Sequence, residues 1–355
     1  MEKIITYKDL PASNGKSVYL RMEKTSKSGT ETDPKLYMTL ISKGYKIIGN
    51  ICDCDESTIY ITGKRQSREY TNYKEYKEAI DNGIQSSLRN NSIEKPATIK
   101  FSYVGLINHK YKLPFVLKNE NQNGGKEKFL INTEEDYEKL ISACNILINK
   151  RLLSLTCHHQ DDIKAQIDYS KYLDLNFTIQ EYIKTPSEYN TTVRLLTTPN
   201  NCLLYAALKY NEAVPYHDNT TLLGYLLSEV FPLSTNSIVS NTLSGGKNIL
   251  IGENEYYPHE KELLNSHNIN SEQFHELIGI TEEIHKKYKT NLGIICGFDY
   301  IYDVNKSKWF LLEYHSRPMV GDYVKRQGLN YETNEDKIRA DGLVRATALK
   351  KCLTK

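Results

Sequence analysis

Glu313, His315 and Arg317 alternate along WFLLEYHSRP (309–318), where an apolar run ends in an acid, an imidazole and a cation. In an extended strand the side-chain period is two, so all three share one face. The preceding run GIICGFDYIYD (293–303) carries Asp299, and a short polar turn before KWFLLEY (308–314) predicts a hairpin. That hairpin would bring Asp299 beside Glu313. Two carboxylates on neighbouring strands repel, and desolvation adds to the cost. A divalent cation between them removes it, and Mg2+ takes oxygen ligands of this kind together with substrate phosphates. Alternatively, Glu313 and Arg317 form a surface ion pair and Asp299 merely ends its strand. The residues alone leave both readings open.

A second group offers what such a metal would hold. Lys118 closes the strand LPFVLK (113–118), ahead of the polar loop NENQNGGKE (119–127). A lysine there can meet phosphate oxygens, and Gly124 and Gly125 let backbone N–H groups approach them closely. The same NGG is also ordinary hairpin-turn chemistry. In FTIQEYI (177–183), an extended backbone could read an adenine edge with its alternating C=O and N–H groups.

The elements that must position these groups are unevenly legible. KFLI (128–131) reads as a strand, and NTEEDYEKLISACNILI (132–148) as a helix opened by Thr133 three residues before Asp136, close to a capping box. FTIQEYI, NTTVRLLTT (190–198) and NCLLYAALKY (201–210) predict an antiparallel meander with a turn at 185–187. SEQFHELIGITEEIHKKY (271–288) and NEDKIRADGLVRATALKKCL (334–353) are helical. Toward the N-terminus, YKIIGNI (45–51) and STIYIT (57–62) read as strands and NYKEYKEAIDNGIQSSL (72–88) as an amphipathic helix, a pattern for a small α/β domain. No internal repeat or heptad is visible.

Composition narrows the function classes. A formal net charge of +2 with 25% charged residues gives no footprint for nucleic acid or an anionic membrane. No segment approaches the ~20 apolar residues of a membrane span, and the start MEKIITYKDLP lacks a signal-peptide core. Seven scattered cysteines predict reduced thiols and a cytoplasmic protein. Cys52 and Cys54 lack the spacer of a metal or redox pair, and Cys157, His158 and His159 have no distant partner pair at ligand spacing. No Ser/His/Asp or Cys/His nucleophilic constellation can be assembled.

Taken in order, the motifs resemble a known arrangement. From about Ile93 to the C-terminus the chain resembles ATP-grasp enzymes of the carboxylate–amine ligase type. NNSIEKPATIKFS resembles the entry into the family's first lobe, and LPFVLKNENQNGGKEKFLINTEEDYEKL its strand, phosphate lysine and glycine-rich flap. IQEYI followed by EYNTTVRLL resembles the interlobe hinge and the strand with a phosphate-facing arginine. SNTLSGGK resembles the substrate loop, and GFDYIYD with WFLLEYHSRP the metal hairpin.

The resemblance implies an α/β fold of two lobes clasping ATP: residues 93–184 with the flap, 185–355 with the metal and substrate site, and a small α/β domain at 1–92 before them. It implies ATP and Mg2+ as cofactors, two ions in number, with Mn2+ an alternative. Lys118, Gly124, Gly125 and the backbone of Glu181, Tyr182 and Ile183 would bind ATP, with Glu181 or Glu188 near the ribose. Asp299, Glu313 and His315 would form the metal site, with His315 standing where the family has asparagine. Arg194 and Arg317 would be catalytic, Arg317 also meeting the acid substrate beside Asn241, Gly245 and Gly246. A second phosphate lysine is expected near Asn82, with Lys77 a turn away. Segment 211–247, including Tyr216, His217 and Asp218, would bear on the substrate or be plain loop. The implied reaction joins a small-molecule or peptide carboxylate to an amine through an acyl phosphate, with a homodimer allowed and neither nucleic acid nor membrane as a partner. Carboxylase-like or phosphotransfer chemistry, or a decayed binding module, are the alternatives.

Overall fold

Burial alternates strictly along two of the strands read from sequence, Phe115–Asn119 and Lys128–Ile131, so each sends one set of side chains inward and the other toward a cleft. The computed structural model describes residues 2–20, 32–62, 95–119, 127–156, 177–186, 190–200, 203–210, 221–231, 247–250, 269–315, 318 and 320–354. The expected helix at 72–88 lies outside them.

Three sheets are present among the described residues. The N-terminal sheet is parallel, in the order β2-β1-β3 (Lys46–Ile48, Ser17–Tyr19, Ile59–Tyr60). Helix α1 (Pro34–Ser42) belongs to it, with proline at the first helical position and Asp33 capping the Lys35 amide at 2.8 Å.

The second sheet is antiparallel, in the order β4-β7-β5-β6: Thr98–Lys100, Phe177–Glu181, Phe115–Asn119, Lys128–Ile131. Its inner face (Phe115, Leu117, Phe129, Ile131, Phe177, Ile179) packs on helices α2 (Tyr103–Ile107) and α3 (Glu134–Thr156). At the start of α3, Thr133 Oγ1 accepts from the Asp136 amide at 3.1 Å, and the Asp136 carboxylate accepts from the Thr133 amide at 3.0 Å. This is the expected reciprocal cap. The same core takes in Leu223, Leu226, Leu227 and Phe231 from α4 (Leu222–Val230) and the residue after it, although α4 follows the strands of the third sheet in sequence.

That third sheet, again antiparallel, has the order β10-β9-β8-β11-β12: Lys247–Leu250, Leu203–Tyr210, Thr192–Thr197, Cys296–Asp303, Lys308–His315. One face (Leu195, Leu208, Phe298, Tyr300, Trp309) packs on Leu277, Ile280 and Ile284 of α5 (Ser271–Leu292). Part of the other face (Leu196, Leu204, Tyr205, Ala207) packs against the N-terminal sheet and the last helix, beyond α6 (Gly321–Arg326), namely α7 (Asn334–Leu353). Coverage on both sides explains why nearly every residue of β9 is buried.

One expectation is corrected. β7, β8 and β9 do not form one meander: β7 pairs with β4 and β5, whereas β8 pairs with β9 and β11. Alternation in a strand sets which face is buried and says nothing about which strand lies alongside. The chain therefore passes between sheets in the residues after Glu181.

Candidate active site

The acid end of the hairpin is built by a bulge. β11 and β12 pair Asp299 with Glu313 and then Tyr300 with Leu311, so Leu312 is the extra residue on β12. Without it, strict alternation would send Leu312 and Glu313 to opposite faces. With it, both line the same cleft. The bulge thus joins an apolar floor of Ile183, Ile301, Phe310 and Leu312 to a polar end on one surface.

At the polar end Asp299, Glu313 and His315 converge. One ligand atom from each lies within 4.8 Å of the others, and His315 Nε2 is 3.5 Å from Glu313 Oε2. The expected shared face of Glu313 and His315 is therefore observed, while Arg317 lies outside the described residues. Two carboxylate oxygens and one imidazole nitrogen suit a divalent cation, the imidazole being the softer donor.

Asp299 is already well served by protein cations. It is buried and pairs directly across the ladder with Arg194 of β8, whose Nε donates to Oδ1 at 2.7 Å while a second guanidinium N–H donates to Oδ2. Lys209 of β9, only 3% exposed, places Nζ 3.7 Å from Asp299 Oδ1. Burial would raise the Asp299 carboxyl pKa, but Arg194 and Lys209 outweigh it and hold the group well below the usual carboxylate range. Burial pushes the Lys209 ammonium down to about 8, against the pull of Asp299. Burial also opposes the Arg194 charge, and the Asp299 carboxylate more than compensates. Arg194 and Lys209 balance Asp299 and Glu313 in formal charge, so a bound divalent cation would leave a net positive surface suited to phosphates.

The facing wall comes from the second sheet. Lys118 and Lys128 stand opposite each other across β5 and β6 and line the cleft, which is open to solvent. Val116 and Gln180, a cross-strand pair, lie nearer the connection between sheets. That connection, Glu181 to Ile183, also lines the cleft. Ile183 is buried in the floor, and Tyr182 is half-buried, which raises its phenol pKa. The Glu181 carboxylate is engaged by Lys306 of the β11–β12 turn and accepts from the Ala97 amide at 3.3 Å, so its side chain ties the two sheets. Lys306 Nζ also lies 5.0 Å from the Phe310 ring centroid.

The structure thus brings together Lys118, Glu181, Tyr182, Ile183, Asp299 and Glu313 around one cleft, with His315 beside Glu313 and Arg194 behind Asp299. Gly124, Gly125, Glu188, Asn241, Gly245, Gly246 and Arg317 lie outside the described residues, as do Lys77, Asn82, Tyr216, His217, Asp218 and the Cys157–His159 group. Cys52 and Cys54 are free thiols, and among the described residues no third metal ligand joins them. Sequence reasoning missed Lys128, Lys209 and Lys306. Lys209 had a signal: a single cation near the end of the otherwise apolar run LLYAALKY. Lys306, in a polar turn, had none. Among the described residues, no helix is long and apolar enough to cross a membrane.

No family model matches this chain, and no curated protein matches it. Among solved structures, it is similar to D-alanine–D-alanine ligase from Bacillus anthracis complexed with ATP, at a TM-score of 0.40 and 12% identity, over 96% of this chain and 99% of that one. It is similar to the ATP-grasp ligase PsnB complexed with minimal precursor, at 0.37 and 9%, over 88% and 67% of the two chains. It is also similar to the biotin carboxylase domain of the Hydrogenobacter thermophilus 2-oxoglutarate carboxylase with MgADP and bicarbonate, at 0.38 and 10%, over 81% and 48%.

Proposed function

We propose that the protein is an ATP-dependent carboxylate–amine ligase of the ATP-grasp type, working through an acyl phosphate with release of ADP and phosphate. The observation that carries this reading is one cleft with a lysine wall on one sheet, converging carboxylates on the other, and an apolar floor where the chain passes between them. The floor of Ile183, Ile301 and Leu312 suits a purine, and the backbone of Glu181 to Ile183 supplies hydrogen-bonding groups for its edge. Lys118 meets the phosphates, joined by the loop backbone at Gly124 and Gly125, while Glu188 is assigned to the ribose.

Asp299, Glu313 and His315 would hold the Mg2+, which when bound neutralises phosphate charge and orients the leaving group. Arg194 keeps Asp299 ionised and in place. Arg317, with Asn241, Gly245 and Gly246, is assigned to the acid substrate. In the first step a carboxylate oxygen bonds to the γ-phosphorus as the bond to ADP breaks. In the second, the amine nitrogen bonds to the acyl carbon as the acyl carbon–oxygen bond breaks, and inorganic phosphate leaves with the proton the amine gives up. Positioning and charge neutralisation carry both steps, so no covalent nucleophile is needed.

The test is nucleotide product analysis on the purified chain with Mg-ATP and pooled amino acids and small carboxylic acids. Pool-dependent ADP together with a condensed mass is expected. AMP would overturn the acyl-phosphate route. Two observations favour a second reading: Arg194 chelates Asp299, and imidazole stands beside the carboxylates, as would suit a module that binds nucleotide without turnover. Nucleotide binding with no ADP from any pool is the result that reading expects.

A further inference from the structure

Lys118 and Lys128 are directly opposed on adjacent strands and line the same cleft. Two ammonium groups on one wall of a cleft offer a phosphate chain two charge-assisted contacts. Their position along the cleft says which part of a ligand they meet. β5 lies against the sheet-to-sheet connection at Phe115, the partner of Glu181, so Val116 is nearer the connection and the lysine pair farther from it. On the opposite wall Val304 donates to Lys184 O at 3.1 Å, so Ile301 is nearer the connection and Asp299 farther. Both walls therefore change from apolar to charged in the same direction, lysines on one and carboxylates on the other.

The residue just before Lys128 is anchored. The Asn119 amide donates to Glu127 O at 3.1 Å. The fully buried Glu127 carboxylate accepts from the Asn119 side chain and, at 2.6 Å, from the Thr221 amide at the start of α4. Gly224 leaves room for this, since a Cβ there would lie 2.6 Å from Glu127 Cδ.

We infer that Lys128 is a phosphate-binding residue, forming with Lys118 a two-lysine cradle for the phosphate chain of a nucleoside triphosphate. This inference rests on the reading of the cleft as a nucleotide site. The experiment measures binding of ATP, adenosine and inorganic tripolyphosphate by calorimetry to wild type, Lys128→Met and Lys128→Arg, with no acid or amine present. For Lys128→Met the affinity for ATP and for tripolyphosphate should fall about tenfold, the size of one charge-assisted contact. Adenosine should bind as before, arginine should restore most of the loss, and the ligand-free melting temperature should not drop.

Unchanged ATP and tripolyphosphate affinities in Lys128→Met would overturn the inference while leaving the nucleotide reading intact. An equal loss for adenosine, or a lowered melting temperature, would mark Lys128 as structural and likewise overturn it. Wild type binding tripolyphosphate through Lys128 but neither ATP nor adenosine would uphold the cradle and sink the nucleotide reading. Binding of none of the three would sink both.

Discussion

Asp299 touches Arg194 on one side and Lys209 on the other, so substituting it has two effects at once. Asp299→Asn removes a carboxylate from the metal group and also strips two buried cations of their partner. Breaking one side of a buried pair costs roughly 3–5 kcal/mol. Glu313→Gln is the cleaner probe, because Glu313 is half-exposed at the cleft. It should abolish Mg2+-dependent ATP turnover with the melting temperature nearly unchanged, and turnover at wild-type rate would remove Glu313 from the metal site. Asp299→Asn should lose turnover and melt several degrees lower. His315→Asn replaces a soft donor with an amide oxygen, so turnover with Mg2+ should hold or rise. A complete loss would give the imidazole a role of its own.

At the scale of elements, the buried face of the third sheet contains a titratable group remote from the cleft. His285 of α5 is fully buried, shares a 2.8 Å hydrogen bond between Nε2 and Thr197 Oγ1, and has no partner for Nδ1 among the described residues. Burial pushes its pKa down to about 3. Between that value and the ordinary 6.5, the unfolded chain takes up a proton that the folded one refuses. The stabilisation is complete above about pH 6.5 and declines as pH falls, by up to about 1.4 kcal/mol per pH unit. Urea midpoints at pH 7 and pH 5 should separate accordingly in wild type and move closer together in His285→Leu.

Elements also divide by how legible they were. β5, β6, α3, β11, β12 and α7 stood out because their apolar periods were clean and their caps or turns local. The convergence of Asp299, Glu313 and His315 was legible in the same hairpin, since it depends only on pairing between neighbouring strands. The bulge at Leu312 was not legible, because an extra residue leaves no mark in the apolar pattern LLEY. Nor was the Arg194–Asp299 pair, which depends on β8 lying against β11 across more than 90 intervening residues. α4, with the sequence LLGYLLSEV, sits in segment 211–247, for which no helix was expected.

For the whole molecule, the N-terminal sheet is fastened to the third sheet by the last helix. Arg345 of α7 donates to Ile61 O at 2.6 Å, Thr347 accepts from the Ile5 amide at 3.1 Å, and Lys351 meets Glu2 at 2.6 Å. Close approach is possible because Gly342 has no side chain: a Cβ there would lie 2.8 Å from Asp33 Cβ and closer still to the Tyr7 hydroxyl. Gly342→Val should destabilise the protein by about 1–3 kcal/mol through overpacking. Nucleotide affinity of the protein that remains folded should be unchanged, as a titration well below the melting temperature would read.

Placement of α4 bears on the order in which a ribosome delivers the parts. The strands of the second sheet are complete at Glu181, yet Leu223, Leu226, Leu227 and Phe231 of its core emerge only after β8 and β9 have been made. During synthesis that sheet must wait, one flank uncovered, until the chain has left it and returned. A fragment ending at residue 200 should therefore expose apolar surface and aggregate, and one ending at residue 231 should protect those strands from hydrogen exchange. The second and third sheets are thus tied by the order of their own making.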